Sequence, residues 1–311
     1  MLSPTPAEIK AAAQRIAGHI RRTPVMELPA DVFGFPLALK LEHLQITASF
    51  KVRGAFNNLL ARDVPAAGIV AASGGNHGAA AAHAATTLGH KSLIFVPRAI
   101  AKEEKLRRMR DFGGEIRLTE GSVGECMAEY AAHAETTGAL SVHPYDTVWT
   151  LAGQGTVARE MEAEIDSLDT VLIAVGGGGL IGGIAAWFGD RVRVVSVETE
   201  GTNTLARSLT DGPDIDVAAS GIAAGSLGGP ALGALAYNIA KERIADALIV
   251  SDADVFEAGR RLWDATRLVV EPGAATALAA LTSGAYRPAP GERVAVLLCG
   301  GNAEPGWFLN G

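Results

Sequence analysis

Residues 170–179 read Thr-Val-Leu-Ile-Ala-Val-Gly-Gly-Gly-Gly, and an uncharged run continues from Leu180 to Phe188. The stretch Thr170 to Val175 has the short, apolar, β-branched composition of a buried strand. Four glycines then interrupt any helix, which excludes a membrane span although Thr170 to Gly189 has about the length a bilayer needs. Apolar residues resume as a helix at Leu180. Strand, glycine turn and helix in this order form one βα unit of an open α/β sheet, where ligands gather at the carboxyl ends of strands. Gly176 to Gly179 let the backbone approach an anion, and the helix start supplies N–H donors and positive potential. A phosphate is therefore expected there, the plainer alternative being close packing of strand on helix. Gly177, Gly179 and Gly182 also satisfy GxGxxG, with Glu198 near the distance of a ribose-binding acid, so a nicotinamide dehydrogenase is a rival reading.

The same alternation extends outward in both directions. Strands are expected at Leu37 to Glu42, Gly68 to Ala72, Ser92 to Val96, Glu115 to Leu118, Leu140 to Val142, Val192 to Glu198 and Val294 to Leu298. The first of these alternates apolar and polar residues, as a half-buried strand does. Helices are expected at Val52 to Leu60, Gly78 to Leu88, Lys102 to Asp111, Glu125 to Thr136, Gly155 to Ile165, Asp254 to Thr266 and Ala274 to Leu281. Thr5, Pro6 and Glu8 form a capping box that opens a helix, not a secretory leader. Residues 202–246 show no clear period. The pattern predicts a mostly parallel sheet covered on both faces.

Composition agrees with this class. The chain has 311 residues, 48% hydrophobic and 20% charged, with 37 glycines and a formal net charge of -7. Its size allows two domains and a core that needs no disulfide or metal. The two cysteines, Cys126 and Cys299, form no metal-ligand spacing and fit a reducing, cytoplasmic setting. The acidic balance argues against a nucleic-acid partner.

Three further segments join the glycine tetrad as candidate chemistry. In Ser49-Phe50-Lys51-Val52-Arg53-Gly54 a lysine sits among apolar residues at a helix start, where its neutral amine is favoured and can form a Schiff base. Lysine at such a place is otherwise a solvated surface charge. In Ser73-Gly74-Gly75-Asn76-His77-Gly78 a strand-to-helix turn bears few side chains. Its backbone can cradle a carboxylate with Asn76 free to donate, or Asn76 and His77 merely cap the helix. In Cys299-Gly300-Gly301-Asn302 a cysteine ends a core strand, either as a small hydrophobe or with its thiol toward a ligand.

These four segments, in this order, resemble the fold-type II pyridoxal-phosphate enzymes, and within them the serine/threonine dehydratase and serine racemase family. The resemblance spans Thr23 to Asn302, and Ser-Phe-Lys-x-Arg-Gly is its most specific motif. The Rossmann alternative explains the glycine tetrad alone. The resemblance implies two open twisted parallel-sheet domains, of the tryptophan synthase β type, with pyridoxal 5'-phosphate in the cleft between them. Residues 1–66 and 147–311 would form the large cofactor-binding domain, and 67–146 the small one.

Carried over by position, Lys51 is the cofactor-binding lysine and the base that takes the Cα proton. Phe50 packs beside the ring and Asn76 bonds its hydroxyl. Gly176, Gly177, Gly178, Gly179 and Leu180 hold the phosphate, and Cys299 faces the pyridine nitrogen. Ser73, Gly74, Asn76 and His77 take the substrate carboxylate, mostly through backbone groups. A thiol facing the nitrogen makes a weaker electron sink than an aspartate there, which favours expulsion of a β-leaving group. The implied reaction is β-elimination on L-threonine or L-serine. The β-hydroxyl leaves, protonated from the cofactor phosphate, and the enamine hydrolyses to a 2-oxo acid and ammonia.

Departures from the family pattern bear on the choice among its members. Gly74 stands where racemases carry a second serine that protonates the opposite face. Of the usual cation-site acids Glu198 is present, but the second position is Thr204. The segment Gly221 to Gly229 resembles the loop near the substrate side chain and offers no distinctive group. Alternatives are dehydratases of 3-hydroxyaspartate, phenylserine or a hydroxyectoine-derived compound, a serine racemase, a nicotinamide dehydrogenase, or a non-catalytic amino-acid-binding protein. The family implies a homodimer or homotetramer. About ten residues follow Gly301, so no appended regulatory domain and no isoleucine feedback are expected.

Overall fold

The computed structural model describes residues 3–309, and among these ten strands form two sheets. In chain order they are β1 (Val25–Leu28), β2 (Leu37–Lys40), β3 (Ile69–Ala72), β4 (Ser92–Pro97) and β5 (Glu115–Thr119). They continue with β6 (Leu140–Ser141), β7 (Thr170–Ala174), β8 (Arg193–Thr199), β9 (Ile244–Val250) and β10 (Val294–Leu297). The six-stranded sheet has the order β1-β2-β10-β7-β8-β9, and the four-stranded sheet β5-β4-β3-β6. Every pairing is parallel except β1 with β2 at one edge. The protein is thus an α/β structure of two parallel-sheet units, as the alternating pattern requires. No helix among the described residues is long and apolar enough to cross a membrane.

Several differences from the sequence reading have physical causes. β2 is not half-buried. All four of its residues are buried, and the charges that gave it an alternating look are neutralised inside the protein. Lys40 Nζ lies 2.6 Å from Glu164, 3.0 Å from Glu160, and donates to Thr23 O at 2.7 Å. Arg53 forks onto Glu42 at 2.7 and 2.8 Å and onto Glu160 at 2.7 and 2.8 Å. Lys40, Glu42 and Arg53 are fully buried. A bidentate guanidinium between two carboxylates is the arrangement that best repays removal from water.

The helix expected from Gly155 runs from Val148 to Glu164, because Thr147 caps it by accepting from the Thr150 N–H. Gly153 concealed the first turns by its low helix propensity. A Cβ there would lie 2.7 Å from Arg53 O, so the glycine lets this helix pack tightly on the helix Lys51–Leu60. Residues 202–246, left unassigned from sequence, hold the helices Thr204–Asp211, Ala224–Leu227 and Ala234–Arg243 and the start of β9.

Candidate active site

The site lies where β3, β7 and β10 end, since each hands its chain to one of the quoted loops. Ser49 pairs with Gly300 in an isolated antiparallel bridge, and the Phe50 N–H donates to Cys299 O at 3.1 Å. This stitch brings the lysine segment against the terminal Cys-Gly-Gly-Asn. Phe50, Lys51, Asn76, Gly176, Gly177, Gly178, Gly179, Leu180 and Cys299 all line one cavity. Ser73, Gly74 and His77 lie beside it on the turn that presents Asn76 and do not line it.

Lys51 is the first residue of its helix, and its Nζ donates to Pro144 O at 3.0 Å. Burial outweighs the attraction of Cys299 and Glu271 and lowers its pKa from 10.5 to about 8. Near neutral pH the amine is therefore much closer to its neutral, nucleophilic form than an ordinary lysine. The Phe50 ring centroid lies 5.1 Å from Nζ.

The glycine tetrad forms a bare backbone cradle. A Cβ on Gly177 would run into the Tyr145 ring, and one on Gly176 would come within 3.0 Å of Leu227 O. Gly178 has φ +86°, a conformation that disfavours any side chain, and caps the helix Gly179–Phe188. The N–H groups of that first turn have no intrahelical acceptors and suit a phosphate. The desolvated amine and this cradle on one cavity fit pyridoxal 5'-phosphate, which Lys51 would anchor covalently and residues 176–180 would hold by its phosphate.

Asn76 does not cap its helix as the plainer reading supposed; Gly75 occupies the N-cap position, and no side chain bonds there. Asn76 Nδ2 donates to both Glu271 oxygens at 2.8 and 3.0 Å, and its Oδ1 accepts from Asn302 Nδ2 at 2.6 Å. A ring hydroxyl bonding Asn76 would share this amide with Glu271. His77 Nε2 donates to Val142 O at 2.8 Å, and burial lowers its pKa to about 3, so the imidazole is neutral. Burial and Glu271 push the Cys299 thiol up, leaving it protonated.

Glu198 is engaged by the protein's own helix start. Its oxygens accept from the N–H groups of Leu205 and Ala206 at 2.8 Å and from Thr204 Oγ1 at 3.2 Å. The carboxylate binds the start of the helix Thr204–Asp211, and burial raises its pKa to about 7. Among the described residues no group of three or more acids, histidines or cysteines could hold a metal.

Sequence reasoning missed Glu271, and it placed the segment Gly221 to Gly229 near the substrate side chain without singling out Ser226 and Leu227; all three line the cavity. Glu271 precedes Pro272 at a helix start and so reads as an ordinary helix-entry acid. Ser226 and Leu227 fall in the aperiodic segment.

A family model for pyridoxal-phosphate dependent enzymes matches residues 16–300. The chain is 33% identical to an L-threonine ammonia-lyase of Geobacter sulfurreducens, over 95% of this chain and 75% of the relative. It is 34% identical to a beta-hydroxyaspartate dehydratase of Paracoccus denitrificans, over 98% of each chain. The structure of maize serine racemase superposes with a TM-score of 0.92 at 30% identity, covering 99% of this chain and 96% of that one. The chain belongs to the pyridoxal-phosphate dependent enzyme family.

The lowered Lys51 pKa makes a prediction about cofactor capture. A neutral amine is the reactive form, so the rate at which apoprotein forms its lysine-bound chromophore should rise with pH and level off above about 8. An unperturbed lysine would keep the rate rising towards 10.5. Stopped-flow absorbance across this range distinguishes the two.

Proposed function

We propose that the protein is an ammonia-lyase that removes water from β-hydroxy α-amino acids, L-threonine and L-serine among them, to give a 2-oxo acid and ammonia. The observation that carries this is the buried Lys51 amine, facing a cavity whose other polar ends are a phosphate cradle and a neutral thiol. When bound, pyridoxal phosphate supplies an electron sink that acidifies the Cα proton of a joined amino acid. Lys51 binds the cofactor and takes that proton at Nζ. The Ser73–His77 turn orients the α-carboxylate at the N-terminus of the helix Asn76–Thr87. Cys299, its thiol held protonated, would serve as a neutral partner for the ring nitrogen, and Phe50 would cover the amine against water.

Borohydride reduction followed by peptide mapping, paired with a 2-oxo acid assay on a panel of β-hydroxy amino acids, tests the reading. A pyridoxyl adduct on Lys51 with 2-oxo acid release supports it. An adduct without turnover of any member leaves a non-catalytic amino-acid-binding protein instead.

Racemisation is the competing outcome within the family, and Gly74 argues against it. Position 74 itself carries no hydroxyl, and a Cβ there would lie 2.9 Å from Ile100 Cδ1, so a serine would need that side chain to shift. Incubation with L-serine should therefore yield pyruvate and no appreciable D-serine by chiral chromatography. Gly74→Ser with Ile100→Ala, which opens the space, should raise the share of D-serine in the products. Substantial D-serine from the wild type would show that another group protonates the second face.

A further inference from the structure

Beside the cavity stand two cations that the elimination does not use. Lys105 and Arg108 lie about one turn apart on the helix Glu103–Asp111, which packs on the helix bearing Asn76. Lys105 Nζ donates to Gly225 O at 3.0 Å and stands 3.7 Å from where a Cβ on Gly75 would lie. Gly75 precedes Asn76 and Gly225 precedes Ser226, and both of these following residues line the cavity. The ammonium thus bridges two glycine-bearing segments beside the cavity.

Neither cation is held in a direct ion pair. Arg110 on the same helix pairs with Glu103, whereas neither Lys105 nor Arg108 has an ion-pair partner among the described residues. Arg108 Nε is buried with no hydrogen-bond partner. The carboxylates that act on both through space are Glu271, on the cavity and already bonded by Asn76, and, more weakly, Glu104 on their own helix. Partly desolvated cations without a partner are costly unless an anion arrives to meet them.

With its amine toward Lys51 and its α-carboxylate toward the start of the helix Asn76–Thr87, a bound amino acid would leave its side chain to the segment Gly221 to Gly229, where Gly225 O meets Lys105. We propose that Lys105, aided by Arg108, binds a carboxylate at the end of the substrate side chain, so that acidic β-hydroxy amino acids are the preferred substrates. This rests on the lyase reading above. The charge-assisted contact replaces the single carbonyl that Lys105 now holds, and Gly75 and Gly225 leave the space that a carboxylate needs.

The test compares threo-3-hydroxyaspartate, whose dehydration and hydrolysis give oxaloacetate and ammonia, with L-serine and L-threonine on the holoenzyme. Wild type should favour the acidic substrate at least about tenfold in kcat/KM. Lys105→Met should lower that value about 100-fold and Arg108→Gln about tenfold, with serine changed less than about threefold and Lys105→Arg restoring much of the loss. Calorimetry gives a readout free of turnover: succinate should bind wild type about ten times more tightly than butyrate, and Lys105→Met should erase the difference. Equal or better turnover of the neutral substrates by wild type overturns the proposal. So does a Lys105→Met loss shared equally by serine, which would make Lys105 a brace across the cleft. If no β-hydroxy amino acid yields a 2-oxo acid, the lyase reading fails. The succinate preference then decides the anion site alone, its presence supporting the site and its absence overturning it.

Discussion

Lys51→Ala protein should release 2-oxo acid from L-serine and L-threonine about 10⁴-fold more slowly than wild type. No other group on the cavity can take both of the lysine's tasks. The Cys299 thiol is held protonated, and the Glu271 carboxylate is tied to Asn76. His77, beside the cavity, has its Nε2–H committed to Val142 O. Steady-state kinetics with cofactor in excess measures the loss, and a variant retaining a tenth of wild-type activity would move the base elsewhere. Folding should survive, because the substitution removes an amine whose charged form the fold disfavours. The sign is explicit in the pH dependence. Folding lowers the lysine pKa from 10.5 to about 8, so between those values the unfolded chain holds more protons than the native one. Wild-type apoprotein therefore gains stability as pH rises from about 8 to 10.5, and Lys51→Ala should lack that gain in denaturant titrations.

The parts of this site that sequence exposes are those whose chemistry is local. A lysine between Phe50 and Val52, four glycines after a β-branched run, and an Asn after two glycines each announce themselves within six residues. Glu271 does not, because its role depends on Asn76, 195 residues away. Lys105 and Arg108 read as two charges among several on a solvated helix, and only the three-dimensional placement of Gly75 and Gly225 sets them beside the cavity. The fold shows the same division. Most strands were legible from their residue pattern, the edges β5 and β6 of the smaller sheet among them, whereas the edges β1 and β9 of the larger sheet were not, being mostly half-buried and interrupted by Glu27 and Asp246. β2 was placed correctly and its burial misread, because Lys40 and Glu42 carry the polar signature of a solvated face, while Lys40 is paired by Glu160 and Glu164 from a distant helix and Glu42 by Arg53.

That same network sets the other large expected effect. Glu42→Ala should destabilise the protein by about 3–5 kcal/mol and lower the melting temperature by roughly 10 °C. Glu42 is fully buried and accepts from Arg53 at 2.7 and 2.8 Å and from Thr23 Oγ1 at 2.5 Å. Its loss leaves the Arg53 guanidinium half-satisfied in the interior, with Glu160 as its one remaining carboxylate. A surface pair such as Arg98 with Glu120 provides the control, where Glu120→Ala should change stability by less than about 1 kcal/mol. The Glu42 carboxyl is held below 4.5, where Arg53 and its hydrogen bonds overcome the cost of burial. Its contribution is fully present above that value and is lost as pH falls through the lower folded-state pKa, so the variant should show a flatter acid limb. The consequence reaches the chemistry because Arg53 lies two residues after Lys51 on one helix. Anchoring Arg53 to Glu42 and Glu160 fixes that helix against β2 and the helix Val148–Glu164, and so aims the lysine. Melting curves recorded with and without cofactor should therefore show Glu42→Ala losing part of the cofactor-induced rise as well as baseline stability. A baseline shift under about 2 °C would mean that Glu160 alone satisfies the buried guanidinium.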